Sequence, residues 1–193
     1  MMQGQVRRKV TGHDAQGRSI VISDSPAPHV RSNPLRPGHF STDIWRTNET
    51  PARISKSFPE PTDGPRKITP NRNGTVVRIS VIPPDTPELL TLDPESARNV
   101  FADMGEESAS TFTTNRRHPL IHRTQTIDYA ILLEGELYMV LDETEVLLNA
   151  GDVVVQVGTN HAWSNRSGKP VKIAYVLIDG EFDQELARAL GRI

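Results

Sequence analysis

The stretch "HRTQTIDYAILLEG", His122 to Gly135, is followed after a short hairpin by "GDVVVQVGTNHAWSN", Gly151 to Asn165. Much of each alternates with the period of two that a half-buried β-strand requires, and glycines stand where turns are needed. Successive side chains of an extended strand point to opposite faces. His122, Thr124, Thr126 and Asp128 therefore share one face if 122–128 is extended, and His161, Trp163 and Asn165 share one in the second stretch. If both faces point inward, two imidazoles and one carboxylate meet there, the donor set of a 2-His-1-carboxylate metal site with open positions. A hydrogen-bonded polar cluster in a metal-free pocket is the alternative, because buried polar groups need partners in either case.

Outward from these stretches, residues 120–179 read as nearly all β: "IDYAILLEG", "GELYMVLD", "TEVLLN", "DVVVQV", "HAWSN" and "VKIAYVLID", separated by turn residues. Several short strands with turns between them predict a sandwich or barrel. "TVVRISVIPP", Thr75 to Pro84, is a further strand, crowded with β-branched residues and stopped by a proline pair. The next segment predicts a short helix, with Asp93 as N-cap, Pro94 at the first helical position and Gly105 just past the end. "FDQELARAL" predicts a second, with Phe182, Leu186 and Leu190 on one face. Up to residue 74 the chain is rich in Pro, Ser, Asn and Arg, with strand-like pieces at Arg18 to Ser23 and Phe40 to Thr47. We expect residues 1–74 to form an arm of short strands and loops packing on the barrel or a partner subunit. Residues 75–193 then form the barrel with its C-terminal helix.

At 193 residues the chain suits one domain with a sizeable core. Its formal net charge of -2 offers nothing to nucleic acid or to an acidic membrane surface. With no cysteine, any metal must use His, Asp, Glu or water. No stretch reaches the roughly 18–20 apolar residues of a membrane span, and the N-terminus lacks the apolar core of a signal peptide. A soluble, cytoplasmic protein is expected. There is no phosphate-binding glycine loop and no G-x-S-x-G elbow, so nucleotide hydrolysis and serine-hydrolase chemistry are set aside.

The two opening stretches resemble the motifs of the cupin superfamily. Its second motif, G-x5-P-x-G-x2-H-x3-N, is matched by Gly151, Gly158, His161 and Asn165, with Val157 near the proline position and the inner glycine displaced by one. Its first, G-x5-H-x-H-x3,4-E-x6-G, is matched by His122, by Asp128 in place of Glu, and by Gly135; Thr124 stands where the second His belongs. The resemblance spans about residues 75–179. It implies an all-β fold, a cupin-type β-barrel (a jelly-roll-like double-stranded β-helix), here with an N-terminal extension and one or two short helices. It also implies a homodimer, because N-terminal strands of small single-barrel cupins often complete a partner's sheet. One divalent ion (Fe, Mn, Ni or Zn) on His122, Asp128 and His161 would make the chain a dioxygenase, decarboxylase or isomerase acting on an organic acid or ring metabolite in the barrel. Without metal, the same pocket makes a non-catalytic metabolite-binding protein. The fold alone does not choose between them.

Beside these ligands, Thr124, Thr126 and Trp163 are expected to wall the pocket, with Trp163 offering a flat face to a ring. The run "NRRHPLIHR" puts Arg116, Arg117 and Arg123 near the mouth, where a guanidinium can hold a carboxylate in a bidentate pair. The blander reading is a solvated basic edge. His118 is expected at a strand edge or the pocket mouth, since Pro119 and the β pattern argue against a helical H-x3-H ligand pair. Tyr129, by alternation, faces away from Asp128, and Trp45 is expected to anchor the N-terminal arm.

Overall fold

A computed structural model describes residues 4–34, 36–113 and 117–192; Arg116 lies outside them. Eleven strands are described: β1 (Arg7–His13), β2 (Ser19–Pro26), β3 (Val30–Asn33), β4 (Arg36–Thr47), β5 (Thr75–Ile82), β6 (Thr126–Glu134), β7 (Glu136–Leu141), β8 (Glu145–Asn149), β9 (Val153–Val157), β10 (His161–Ser164) and β11 (Val171–Asp179). With them go helices α1 (Pro87–Leu90), α2 (Pro94–Asp103) and α3 (Gln184–Ala189). One sheet has the order β3-β4-β5-β11-β6-β9 and a second the order β10-β7-β8, while β1 and β2 pair as a separate hairpin. All the pairings are antiparallel. The fold is all-β, as the alternation predicts.

Alternation explains the core. In β6, Thr126, Asp128, Ala130 and Leu132 are buried while Ile127 and Tyr129 are exposed. In β5, Val76, Arg78, Ser80 and Ile82 are buried. Apolar members of the inward rows meet Leu137, Met139 and Leu148 from the smaller sheet, together with Trp163, Val171 and Ile173, in one cluster between the sheets. Each such side chain contributes about 1.5–3 kcal/mol when taken from water. Three polar members of the same rows, Arg78, Ser80 and Asp128, have no place in an oily core and instead line a cavity beside it.

That cavity is covered by α2. Asp93 caps the helix, its Oδ1 accepting from the Ser96 backbone N–H at 2.8 Å. Val100 and Phe101 then pack with Ile68, Leu89 and Leu120 in a second cluster. Gly105 ends the turn at φ +83°, and a Cβ there would lie 2.1 Å from the Arg66 carbonyl oxygen, so only glycine lets the helix end close on the segment that carries Arg66. Glu106 fastens the same contact by accepting from the Thr69 backbone N–H at 3.0 Å and its hydroxyl at 2.7 Å.

The N-terminal arm is joined within itself by Arg8, which donates to both oxygens of Glu60 at 2.8 and 2.6 Å and lies 5.9 Å from the Trp45 ring. Trp45 in turn packs edge-on against Phe58 at 5.1 Å. The expected apolar face of the C-terminal helix is not buried: Leu186 is exposed and Ala187 is the buried residue of α3. The helix has six residues, too short to present a stripe, and Phe182 lies under the Arg192 guanidinium instead.

Candidate functional site

The cavity has a volume of about 110 Å³. Cavities of roughly 150 Å³ admit a benzene-sized molecule, so this one suits a small ligand or substrate fragment. His122, Thr124, Asp128, His161 and Trp163 all contribute to its wall. Thr126 does not; it is buried behind Thr124, with their hydroxyls 2.8 Å apart. Arg123 is also off the wall. With His122 and Thr124 facing in, Arg123 faces out, 4.0 Å from Asp142.

The two histidines are held side by side. Their backbones form an isolated antiparallel bridge, His122 N–H to His161 O at 2.8 Å and His161 N–H to His122 O at 2.9 Å. The rings stand 4.2 Å apart between centroids. His122 Nδ1 lies 3.0 Å from the Leu120 carbonyl and His161 Nδ1 lies 3.0 Å from the Thr159 carbonyl. A carbonyl accepts only, so each Nδ1 carries the hydrogen and each Nε2 keeps its lone pair. Burial lowers His122 to about 4, against weaker raising by the hydrogen bond to the Leu120 carbonyl. Burial and then the charge of its neighbour hold His161 well below the ordinary value. Both rings are neutral near pH 7.

Asp128 sits opposite Gln156 across the β6–β9 pair, and its Oδ2 accepts from Gln156 Nε2 at 3.2 Å. Its Oδ1 is buried with no hydrogen-bond partner. Burial raises the carboxyl to about 6, against weaker lowering by Thr126 and Arg78. Tyr175, also on the wall, is pushed upward by burial and stays a neutral hydroxyl.

The donor chemistry of the paired imidazoles fits a metal ion, since a carbonyl on Nδ1 orients Nε2 for ligation. Assembly of the third ligand does not follow. Among the described residues, no group of three His, Asp or Glu is close enough to hold a metal ion. Asp128 is one methylene shorter than Glu and is drawn to Gln156.

Three arginines on the wall, Arg36, Arg66 and Arg78, have no counterpart in the sequence reading. Arg78 carried a signal, an inward position in the alternation of β5. Arg36 and Arg66 come from proline-rich segments with no periodicity to reveal a facing. His118, expected at an edge, is instead buried. Its Nδ1 accepts from the Leu120 backbone N–H at 3.1 Å, and its Nε2 lies 3.4 Å from Asp85. Asp85 also accepts from Arg36 at 3.0 Å and from Ser164 at 2.7 Å.

Two sheets enclosing a histidine-lined cavity, with the motif residues on its wall, define a cupin barrel. The chain belongs to the cupin family. The Cupin domain model matches residues 111–178. The chain is 30% identical over 179 residues to the cupin-domain-containing oxidoreductase fogC of Aspergillus ruber, a match covering 91% of this chain and 73% of that one. It is 57% identical over 49 residues to the phomopsin biosynthesis cluster protein C' of Diaporthe leptostromiformis, covering 25% of this chain and 26% of that one. Among solved structures it is similar to the Cnp3 cupin domain of Schizosaccharomyces pombe, with a TM-score of 0.42, 8% identity, and coverage of 97% and 93%. No helix among the described residues is long and apolar enough to cross a membrane.

Proposed function

We propose that this cupin is a small-molecule enzyme that moves a proton on a metabolite bound in the barrel, with Asp128 taking up and returning it. The observation that carries this is Asp128, a residue of the cavity wall whose buried Oδ1 has no hydrogen-bond partner. A base is most effective when its pKa lies near the working pH, which burial gives Asp128. In a β,γ-unsaturated carbonyl compound the α-C–H electron pair stays on the substrate as a dienolate, the proton goes to Asp128, and its return at the γ-carbon completes an isomerisation. Tyr175 supplies a hydroxyl donor for the enolate oxygen, and Trp163 walls the site. No oxidant is required.

Being named an oxidoreductase, the Aspergillus relative supports a small-molecule enzyme and favours a second reading in which a divalent ion supplies Lewis-acid or redox chemistry. His122 and His161 present two suitable nitrogens; Asp128 is not beside them, and no step is routed through a metal. A cytoplasmic homodimer belongs to the same proposal. Its support is the exposed valine row of β9, Val153, Val155 and Val157, in register with Ile131, Tyr129 and Ile127 on the outer face of the sheet.

The test is deuterium uptake. Small ketones and 2-oxo acids are incubated with the protein in D2O and followed by NMR. The wild type is expected to exchange α-protons and Asp128→Asn to lose at least about 100-fold of that rate, with chelator leaving the wild type unchanged. Equal exchange by the variant contradicts the role of Asp128. Exchange abolished by chelator, with stoichiometric metal lost in His161→Ala, selects the second reading.

A further inference from the structure

Part of the cavity wall is cationic, and its guanidiniums exceed the carboxylates that hold them. Four arginines, Arg36, Arg46, Arg66 and Arg78, face two paired carboxylates, Asp43 and Asp85. Arg36 donates to Asp85 at 3.0 Å, while its Nε is buried without a partner. Arg78 is fully engaged, donating to Asp43 at 2.6 Å and to the carbonyls of Ile68 and Lys67 at 3.2 and 2.8 Å. Arg46 donates to the same Asp43 at 2.6 Å and does not line the cavity.

Arg66 is different. Its side chain is 8% exposed, it stands 3.8 Å from the Asp43 carboxylate already shared by two other arginines, and it hydrogen-bonds the Ser41 hydroxyl. A guanidinium has five N–H donors in a planar fork, so most of those on Arg66 are left for something else. Ser41 and Ser80, whose hydroxyls are 3.1 Å apart, add polar groups at the same place. A further acid, Asp103, lines an adjoining cavity together with Arg66 itself, His39 and Arg31, but makes no ion pair with Arg66. The remaining wall near Arg66 is formed by the neutral imidazole of His39, which lies within the field of Arg36, Arg66 and Arg78, and by the apolar Ile68, Phe101 and Met104.

We infer that this part of the cavity wall is the seat of a carboxylate, held by Arg66 with Arg36 and Ser41, and that the ligand is a small monoanion with a compact apolar body. Held there, its carbon skeleton reaches toward His122, His161 and Asp128, which line the same cavity. The substrate class named in this way rests on the proton-transfer proposal, but anion binding itself does not. Asp128 is no part of the seat.

Isothermal titration of the full chain with acetate, butyrate and benzoate, each against its neutral amide, tests the seat. At least one carboxylate is expected to bind about tenfold or more tighter than its amide, as hydrogen bonds to a buried charge require. Arg66→Gln is expected to remove that preference and Arg66→Lys to keep part of it. Arg46→Gln, which deletes a charge beside Asp43 but off the wall, is expected to leave it within about threefold. Circular dichroism checks that each variant is folded, and the carboxylate-to-amide ratio in the wild type needs no variant. If no carboxylate outbinds its amide, or if folded Arg66→Gln keeps the preference, the inference is overturned. Asp128→Asn is expected to bind the carboxylate at least as well as wild type. Loss of deuterium exchange with intact binding therefore points to the catalytic proposal, and loss of binding in the wild type to the seat.

Discussion

Lowering the pH from 7 to 4.5 is expected to cost most of the stability of the fold. His39, His122 and His161 are neutral in the folded chain, with His39 held at about 3 by burial and by Arg36, Arg66 and Arg78. Each folded pKa lies below the unfolded value of about 6.5. The unfolded state therefore binds more protons in this window, and stability present above pH 6.5 is lost as the pH falls toward the folded values. Each histidine loses at most about 1.4 kcal/mol per pH unit. Asp128 works the other way: its folded pKa is raised, so the penalty of its burial is relieved as the pH falls from about 6 toward 4. Three losses against one gain leave a net fall of at most about 3 kcal/mol per pH unit, easing toward pH 4, where His122 itself takes up a proton. Over two units this rivals the 5–15 kcal/mol total stability typical of a domain. Urea titrations at pH 7, 6, 5 and 4.5 measure it, and a flat midpoint across that range refutes neutral histidines in the fold.

Asp43→Asn is expected to destabilise the protein by about 3–5 kcal/mol, the cost of removing one partner from a buried charge cluster. Asp43 is 2% exposed and serves Arg78, Arg46 and Arg66 together. Burial works against its carboxylate, but the three guanidiniums outweigh that and hold it at about 2. Asp43 stands opposite Arg78 across the β4–β5 pair, just before a bulge that shifts the register at Trp45. Asparagine keeps the shape and removes the charge, leaving Arg78 and Arg66 buried without neutralisation. At the exposed hairpin, Asp24→Asn breaks an ion pair with Arg7 that water already screens, so its urea midpoint should stay close to wild type. Equal effects at the two positions would show that the Asp43 cluster is not a buried network.

The sheets were legible in the sequence because period-two alternation decides which residues a half-buried strand hides. The same rule brought His122, Thr124, Asp128, His161 and Trp163 to one cavity and turned Tyr129 away. Arg123 was assigned to the pocket mouth from the basic run beside the motifs, and the structure has it off the wall, between the inward His122 and Thr124 and near Asp142. Arg36 and Arg66 were hidden because nothing periodic governs the segments that carry them. Arg66 is placed by the approach of Gly105 to its backbone, a contact made across 39 positions of sequence. His118 misled in a similar way: a proline neighbour suggested an edge, but Asp85, 33 positions earlier, draws it inside. Alternation likewise gives the inward face of Asp128 but not how far its carboxyl reaches, which Gln156 on the next strand decides.

The most direct measurement is the ionisation of Asp128 itself, followed by carboxyl-carbon NMR across pH 3 to 9 and assigned by the resonance missing from Asp128→Asn. A proton carrier in the cavity titrates near 6. A pKa at or below 4 would make Asp128 an ordinary, fixed carboxylate and contradict its role in moving a proton.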